Sequence, residues 1–230
     1  VIGRRIAEEV TVLIPAFNAE KFIGESIDSI QNQTILPGEI IVINDGSSDD
    51  TSNILRSLKV NGLRVIEQNN QGVAAALNRG IAESRGEILA FLDSDDLWLP
   101  DKLETQLEAM RNHQVDMVFT LIENFLDPAL DVDLSQKLEV NFKPFVGICK
   151  STWIIKKESF LRVGIFDRKN KIELLDWYAR AKDLGVTEYT INKVMVKRRI
   201  HGTNQSLLDK DLRNEFPKIL KAILDRRRSG

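Results

Sequence analysis

Four short apolar runs, each stopped by polar residues, limit what this chain can fold into. They are Val10–Ile14, Glu39–Ile43, Leu63–Ile66 and Ile88–Leu92, each too short for a buried helix and suited to a strand. Between them apolar residues recur at helical spacing: Phe22, Ile23, Ile27 and Ile30, then Ile54, Leu55 and Leu58, then the alanine-rich Val73–Ala82 with Asn78-Arg79-Gly80 inside it. Strand and helix therefore alternate with short connections. That rhythm predicts an α/β fold with a mostly parallel central sheet flanked by helices and right-handed crossovers. Ligands of such sheets bind beyond the carboxyl ends of the strands. The polar clusters at 15–18, 44–51 and 93–96 all fall there.

Local signals set the expected boundaries. Residues before Val10 read as a loose lead-in, and Pro15 stops the first strand because it has no backbone donor. Asn18 is placed to cap the first helix, and Pro37-Gly38 closes the first unit. Later come a helix over Pro100–His113 and strands over Asp116–Ile122 and Thr152–Ile155. Short helices follow over Glu158–Val163 and Glu173–Leu184, with strands over Glu188–Ile191 and Val194–Ile200. From Glu123 to Phe145 the pattern fails, which reads either as a lid or as a plain surface insertion. From Asp209 onward an amphipathic helix is expected. The expected organisation is one domain over 1–230. Residues 1–120 form its first half, and 121–230 form a second half with a C-terminal helix.

Composition removes several classes. With 230 residues and 43% hydrophobic content the chain can bury a full core. A formal net charge of −2 gives no global basic field, so no nucleic-acid partner is expected. The single cysteine, Cys149, excludes an internal disulfide and reads as a small buried hydrophobe. No apolar run approaches the roughly 18 residues needed to span a bilayer, and no signal peptide opens the chain, which begins at Val1. The expectation is a cytoplasmic protein. Arg226-Arg227-Arg228 offers either a solvated helix end or a peripheral contact with acidic headgroups at the inner membrane surface. Oligomeric state is open.

The cluster after Ile88–Leu92 carries the most chemistry. Asp93 and Asp95 sit two apart, so extended backbone projects both to one side, with Asp96 opposite. Two hard oxygen donors at a strand end suit Mg²⁺ or Mn²⁺; the alternative is a helix cap, which needs one acid rather than three. The turn after the first strand is Pro15-Ala16-Phe17-Asn18, neither a dinucleotide fingerprint nor a P-loop. A bound diphosphate would then need a metal to neutralise it.

Four segments resemble glycosyltransferase family 2, inverting enzymes of the GT-A (nucleotide-diphospho-sugar transferase) fold. They are Val12–Asn18, Val42–Thr51, Asn70-Gln71-Gly72 through Gly80, and Phe91–Asp96 with Trp98 and Pro100. Weaker likeness continues through Val163–Asp167, Glu173–Arg180 and Arg199–Ser206. The resemblance implies that Pro15, Phe17 and Asn18 hold the nucleotide, with Phe17 stacking on the base unless it packs in the core. Asp45 would accept the ring N–H of uracil, although Asn44 stands where the family often has a second acid. Gly72 would let the chain pass the donor closely. Asp93-Ser94-Asp95 would be the DxD motif, with Asp93 at ribose or metal and Asp95 on the metal. His201 would complete the metal shell, and Arg198 or Arg199 would grip phosphate. Inversion needs a carboxylate base. Glu173 matches the glutamate of the family's Glu-Asp pair, but Leu174 replaces the aspartate. Asp176 is then the favoured base, with Glu173 as rival, unless Asp176 and Arg180 form an i,i+4 ion pair worth about 0.3–0.5 kcal/mol. The implied function is metal-dependent transfer of a sugar from a nucleotide-sugar donor, a UDP-sugar above all, to a glycan, lipid-linked or small-molecule acceptor. The alternatives are a sugar-nucleotide-binding module without turnover and a nucleotidyltransferase of related topology.

Overall fold

The computed structural model describes residues 5–130, 140–147, 149–168 and 173–204. One eight-stranded sheet organises them, in the order β3-β2-β1-β4-β7-β6-β8-β5. In chain order the elements begin β1 (Arg5–Ala16), α1 (Ile23–Gln31), β2 (Ile35–Asp45), α2 (Thr51–Ser57), β3 (Leu63–Gln68), α3 (Val73–Glu83) and β4 (Ile88–Phe91). Then follow β5 (Leu97–Trp98), α4 (Lys102–His113), β6 (Met117–Leu126), β7 (Trp153–Lys156), α5 (Lys157–Val163), α6 (Glu173–Asp183) and β8 (Glu188–Ile200). Strands β1 to β4 are mutually parallel, β6 and β8 are parallel, and β7 and β5 run antiparallel to their neighbours.

Both faces are covered, so alternate residues of one strand enter opposite cores. Val12 and Ile14 join the cluster under α1 and α4 with Ile27, Leu103 and Leu107. Leu13 joins the cluster under α3, α5 and α6 with Leu77, Phe160 and Trp177. That two-sided burial is why the strands read as near-continuous apolar runs. On the second face Phe91 stacks on Trp153 at 4.9 Å, and Phe160 stacks on Trp177 at 4.7 Å. Gly80, inside α3, sits where a Cβ would lie 2.6 Å from Ile43 Cδ1 and 2.9 Å from Leu13 Cδ2, so the helix meets the sheet only with glycine there.

Several boundaries differ from expectation. Residues before Val10 are not a lead-in: Arg5–Ala7 pair with Ile35–Pro37, and β2 runs through Pro37-Gly38 after a register shift. Pro15 does not end β1. Leu13 O accepts from Leu92 N, so residues of its parity, Pro15 included, turn their polar groups toward β4. That strand pairs β1 no further than Leu13, so the missing donor breaks no ladder bond. The failed pattern after Glu123 is strand to Leu126, paired to Lys197–Ile200. Residues 131–139, the helix expected from Asp209 and Arg226-Arg227-Arg228 lie outside the described residues. Among the described residues no helix is long and apolar enough to cross a membrane.

Candidate active site

The carboxyl ends of β1 and β2 are tied together by short polar side chains. Asn18 does not cap α1, which starts at Ile23 after Phe22 with no side-chain cap. With φ at 49°, Asn18 turns toward the β2 loop instead. Its Oδ1 accepts from Ser48 N at 2.9 Å, and its own N–H donates to Ser47 Oγ at 2.9 Å. Phe17, directly before it, is 46% exposed, so core packing does not account for this aromatic ring. Pro15 is half-buried behind it.

Asp45 ends β2 almost buried, and its carboxylate gathers the next connection. Gln68 Nε2 donates to it at 2.7 Å, Gln71 N at 2.9 Å and Gly72 N at 2.8 Å. Asn44, beside it, forms the turn: its Oδ1 accepts from Ser47 N at 3.3 Å. Gly72 precedes α3 with φ at 86°, and a Cβ there would meet nothing within 4 Å. Conformation, not crowding, calls for glycine at this point.

Beyond β4 the three aspartates diverge. Asp96 is 2% exposed. It accepts from Ser151 Oγ at 2.8 Å and from Arg199 N at 3.3 Å, while Ser26 Oγ donates to the carbonyls of Ser94 and Asp96 at 2.9 Å each. Asp96 thus braces the loop. Burial, then the charges of Asp95 and Asp93, push its carboxyl well above the usual range. Asp93 is pushed up too, by burial first; the Lys150 cation opposes this and the Asp95 and Glu173 charges add to it. Asp95 Oδ2 lies 2.9 Å from His201 Nε2 and accepts from Asn204 Nδ2 at 3.2 Å. His201 Nδ1 lies 3.3 Å from Thr203 N and 2.9 Å from Thr203 Oγ1; with the ring proton on Nε2 it donates to Asp95, and with the proton on Nδ1, donated to Thr203 Oγ1, the Nε2 lone pair is free for a metal. Phe22 packs on that ring at 4.6 Å.

The donor set fits a hard divalent cation. Asp93, Asp96 and Cys149 lie within 4.8 Å of one another. Of these, Asp96 is already bonded, and burial pushes the Cys149 thiol up to about 12, so it keeps its proton. Asp95 with His201 is the better pair. Their 2.9 Å spacing suits neighbouring ligands of an ion bound at about 2.0–2.1 Å. Asp93 and Asp96, both raised in part by the neighbouring Asp95 charge, mark a donor set short of positive charge.

Arg199 corrects an expectation. Its side chain is 5% exposed and its guanidinium is fully engaged: NH1 donates to Asp127 Oδ2 at 3.0 Å, NH2 to Glu25, and Nε to Asp95 O at 3.2 Å. Phe22 and Phe125 sandwich it at 4.9 and 4.8 Å. It holds the acid loop and is not turned to a phosphate. Arg198 lies near enough for its charge to lower the carboxyls of Asp93 and Asp96.

The two base candidates separate clearly. Asp176 accepts from Arg180 Nε at 3.0 Å, and the same guanidinium holds the carbonyls of Val163 and Ile165 at 2.7 and 2.8 Å. This is the i,i+4 ion pair, put to structural use. Glu173 opens α6 and is 6% exposed; its Oε1 accepts from Lys150 Nζ at 3.3 Å, and that ammonium is also 4.0 Å from Asp93 Oδ1. Among the described residues, Glu173 therefore joins the acid cluster through Lys150, while Asp176 is tied to Arg180. Lys150, Ser151, Asn204 and Asp127 were not singled out from sequence. Their one signal is a polar side chain where a strand or turn begins, which most surface residues share.

Parallel strands with convergent acids at their carboxyl ends, and no glycine-rich phosphate loop, define a GT-A-type nucleotide-sugar fold. A sequence model described as Glycosyl transferase family 2 matches residues 11–156. The chain belongs to glycosyltransferase family 2. It is 30% identical over 222 residues to a chondroitin synthase of Escherichia coli, covering 90% of this chain and 31% of that protein. It is 34% identical over 215 residues to an uncharacterized glycosyltransferase of Nostoc sp., covering 86% and 67%. A third relative, from Rickettsia bellii, is 42% identical over 106 residues, 46% of this chain and 15% of that protein. The chain thus spans well under half of two of these three relatives. Among solved structures, Staphylococcus aureus TarS 1–349 in complex with UDP-GlcNAc superposes with a TM-score of 0.70 at 20% identity, covering 94% of this chain and 65% of that one. That likeness is one of fold.

Proposed function

We propose that this chain is a metal-dependent inverting glycosyltransferase that moves a sugar from a UDP-sugar to a hydroxyl acceptor. The observation that carries this is the meeting of Asp95 and His201 at 2.9 Å beside Asp93, at the same carboxyl-end side of the parallel strands as the exposed Phe17 and the Asp45 loop. Phe17 offers a stacking face for the base, and Asp45 presents the adjoining polar edge. TarS, of like fold, has been solved with UDP and with UDP-GlcNAc, which supports a uridine donor. Asp93, Asp95 and His201 would hold Mn²⁺ or Mg²⁺, whose charge would offset that of the departing diphosphate. The acceptor oxygen attacks the anomeric carbon from the face opposite the diphosphate. The new C–O bond forms as the bond to the diphosphate oxygen breaks, and that oxygen keeps the electron pair. Glu173 takes the acceptor proton, because it lies in the acid cluster while Asp176 is held by Arg180. We place the nucleotide site in residues 1–120 and the acceptor side beyond them, in one domain, at the cytoplasmic membrane surface or free of it.

A second reading is a sugar-nucleotide-binding module, favoured by Leu174 in place of an acid. A thermal-shift panel of UDP-, GDP-, dTDP- and CDP-sugars with and without Mn²⁺, followed by UDP release, separates the two. The transferase reading expects Mn²⁺-dependent stabilisation by UDP-sugars together with turnover. Stabilisation without Mn²⁺, or by no nucleotide, overturns it, and binding without turnover across a broad acceptor screen leaves the module.

A further inference from the structure

Lys150 is an unusual side chain to find at this site. It begins a single 3-10 turn, Lys150–Thr152, directly before β7. Its side chain is 14% exposed, and its ammonium lies 3.3 Å from Glu173 Oε1 and 4.0 Å from Asp93 Oδ1. The two carboxylates come from distant elements: Asp93 follows β4, and Glu173 opens α6 on the far side of the chain's least patterned region. Fixing a lysine in one geometry gives up about 2 kcal/mol of rotamer freedom, and burying its charge is costly without anions around it. Here Asp93 and Glu173 supply those anions.

An ammonium has no lone pair and cannot ligate a metal, so Lys150 does not share the cation role of Asp95 and His201. What it fixes is the carboxylate of Glu173. Leu174 makes this necessary. The side chain beside Glu173 is 8% exposed and packed into the apolar core, so it offers Glu173 no polar support.

We propose that Lys150 is a positioning residue for the transfer step: it holds Oε1 of Glu173 toward the donor motif, so that Oε2 meets the acceptor hydroxyl. The proposal rests on Glu173 being the base. Its test uses the full chain with Mn²⁺ and an equimolar pool of UDP-glucose, UDP-galactose, UDP-GlcNAc and UDP-glucuronate, reading UDP release with water as acceptor. UDP affinity and melting temperature are measured alongside. Lys150→Met is expected to lower kcat by about ten- to a hundredfold, the scale of a misplaced reacting group, with UDP affinity unchanged. Lys150→Arg is expected to restore most of the loss. In a Glu173→Gln background, Lys150→Met is expected to cost nothing further in single-turnover rate, because the two residues act as a unit. Unchanged kcat in Lys150→Met, a parallel loss of UDP affinity, or losses that multiply in the double variant would each overturn the role of Lys150 alone. Full turnover by Glu173→Gln, or none by the unaltered chain, would instead overturn the base reading and this inference with it. If Lys150→Met does not fold, Lys150→Gln is scored by the same criteria.

Discussion

The carboxyl ends of β2 and β4 both finish in aspartates, and the fold treats them in opposite ways. Asp45, at the end of β2, takes hydrogen bonds from one side-chain amide and two backbone amides, all neutral. Beyond β4, Asp93 and Asp96 are pushed up by burial and by their neighbours' charges, and Asp95 leans on a histidine and an asparagine. The β2 end is assembled by the chain's own donors before any ligand arrives. Among the described residues, Lys150 and Arg198 offset the negative charge of the β4 end only in part, so Asp93 and Asp96 stay raised. On the proposed function, nucleoside recognition and diphosphate handling would rest on different physical means: preorganised hydrogen bonds for one, electrostatic deficit for the other.

If that contrast holds, the two ends fail differently on mutation. Asp95→Ala removes the carboxylate that meets His201, and UDP release in Mn²⁺ is expected to fall on the order of 10²–10³-fold, through kcat. Asp45→Asn is expected to act on the other parameter. It leaves one backbone amide without its acceptor, a cost of about 1–3 kcal/mol, and loosens the loop from Gln68 to Gly72. The expected outcome is a raised KM for the donor with kcat close to that of the unaltered chain. Steady-state kinetics of both variants on one UDP-sugar decide the matter. Equal effects on kcat would erase the distinction between the two ends.

The same contrast explains what could be read before any coordinates. The β1–β4 half was legible because its strands are buried on both faces and written as apolar runs, and because each run ends in a motif of adjacent residues. The acid loop was legible for the same reason: Asp93, Asp95 and Asp96 are neighbours in sequence. The family resemblance turns Arg199 toward phosphate, and nothing local announces that Asp127 and Glu25, 72 and 174 residues away, take up its guanidinium. Asp176 and Glu173 lie three apart on one helix, and which of them joins the site depends on Lys150, contributed by a turn with no pattern of its own. Pro15 and Pro37 read locally as stops, yet their effect depends on which neighbour strand needs the missing donor, a property of the sheet and not of the residue.

The smallest expected effect is on stability, and it tests the charge deficit without any donor. Free of metal, Asp96 is raised above its unfolded value of about 3.9, so the folded chain binds more protons than the unfolded chain between those two values. Stability from this group is therefore full at acid pH and is lost as pH rises through the folded value. Asp96→Asn removes the titration. Ser151, whose hydroxyl can accept as well as donate, can turn to the new amide. In EDTA at neutral pH the variant is expected to melt above the unaltered chain, with the gap closing toward pH 4. Mn²⁺ should narrow the gap by supplying the charge that the unaltered chain lacks. A variant no more stable at neutral pH in EDTA would mean that the β4 end is as well balanced as the β2 end. Diphosphate handling would then need another source than an electrostatic deficit.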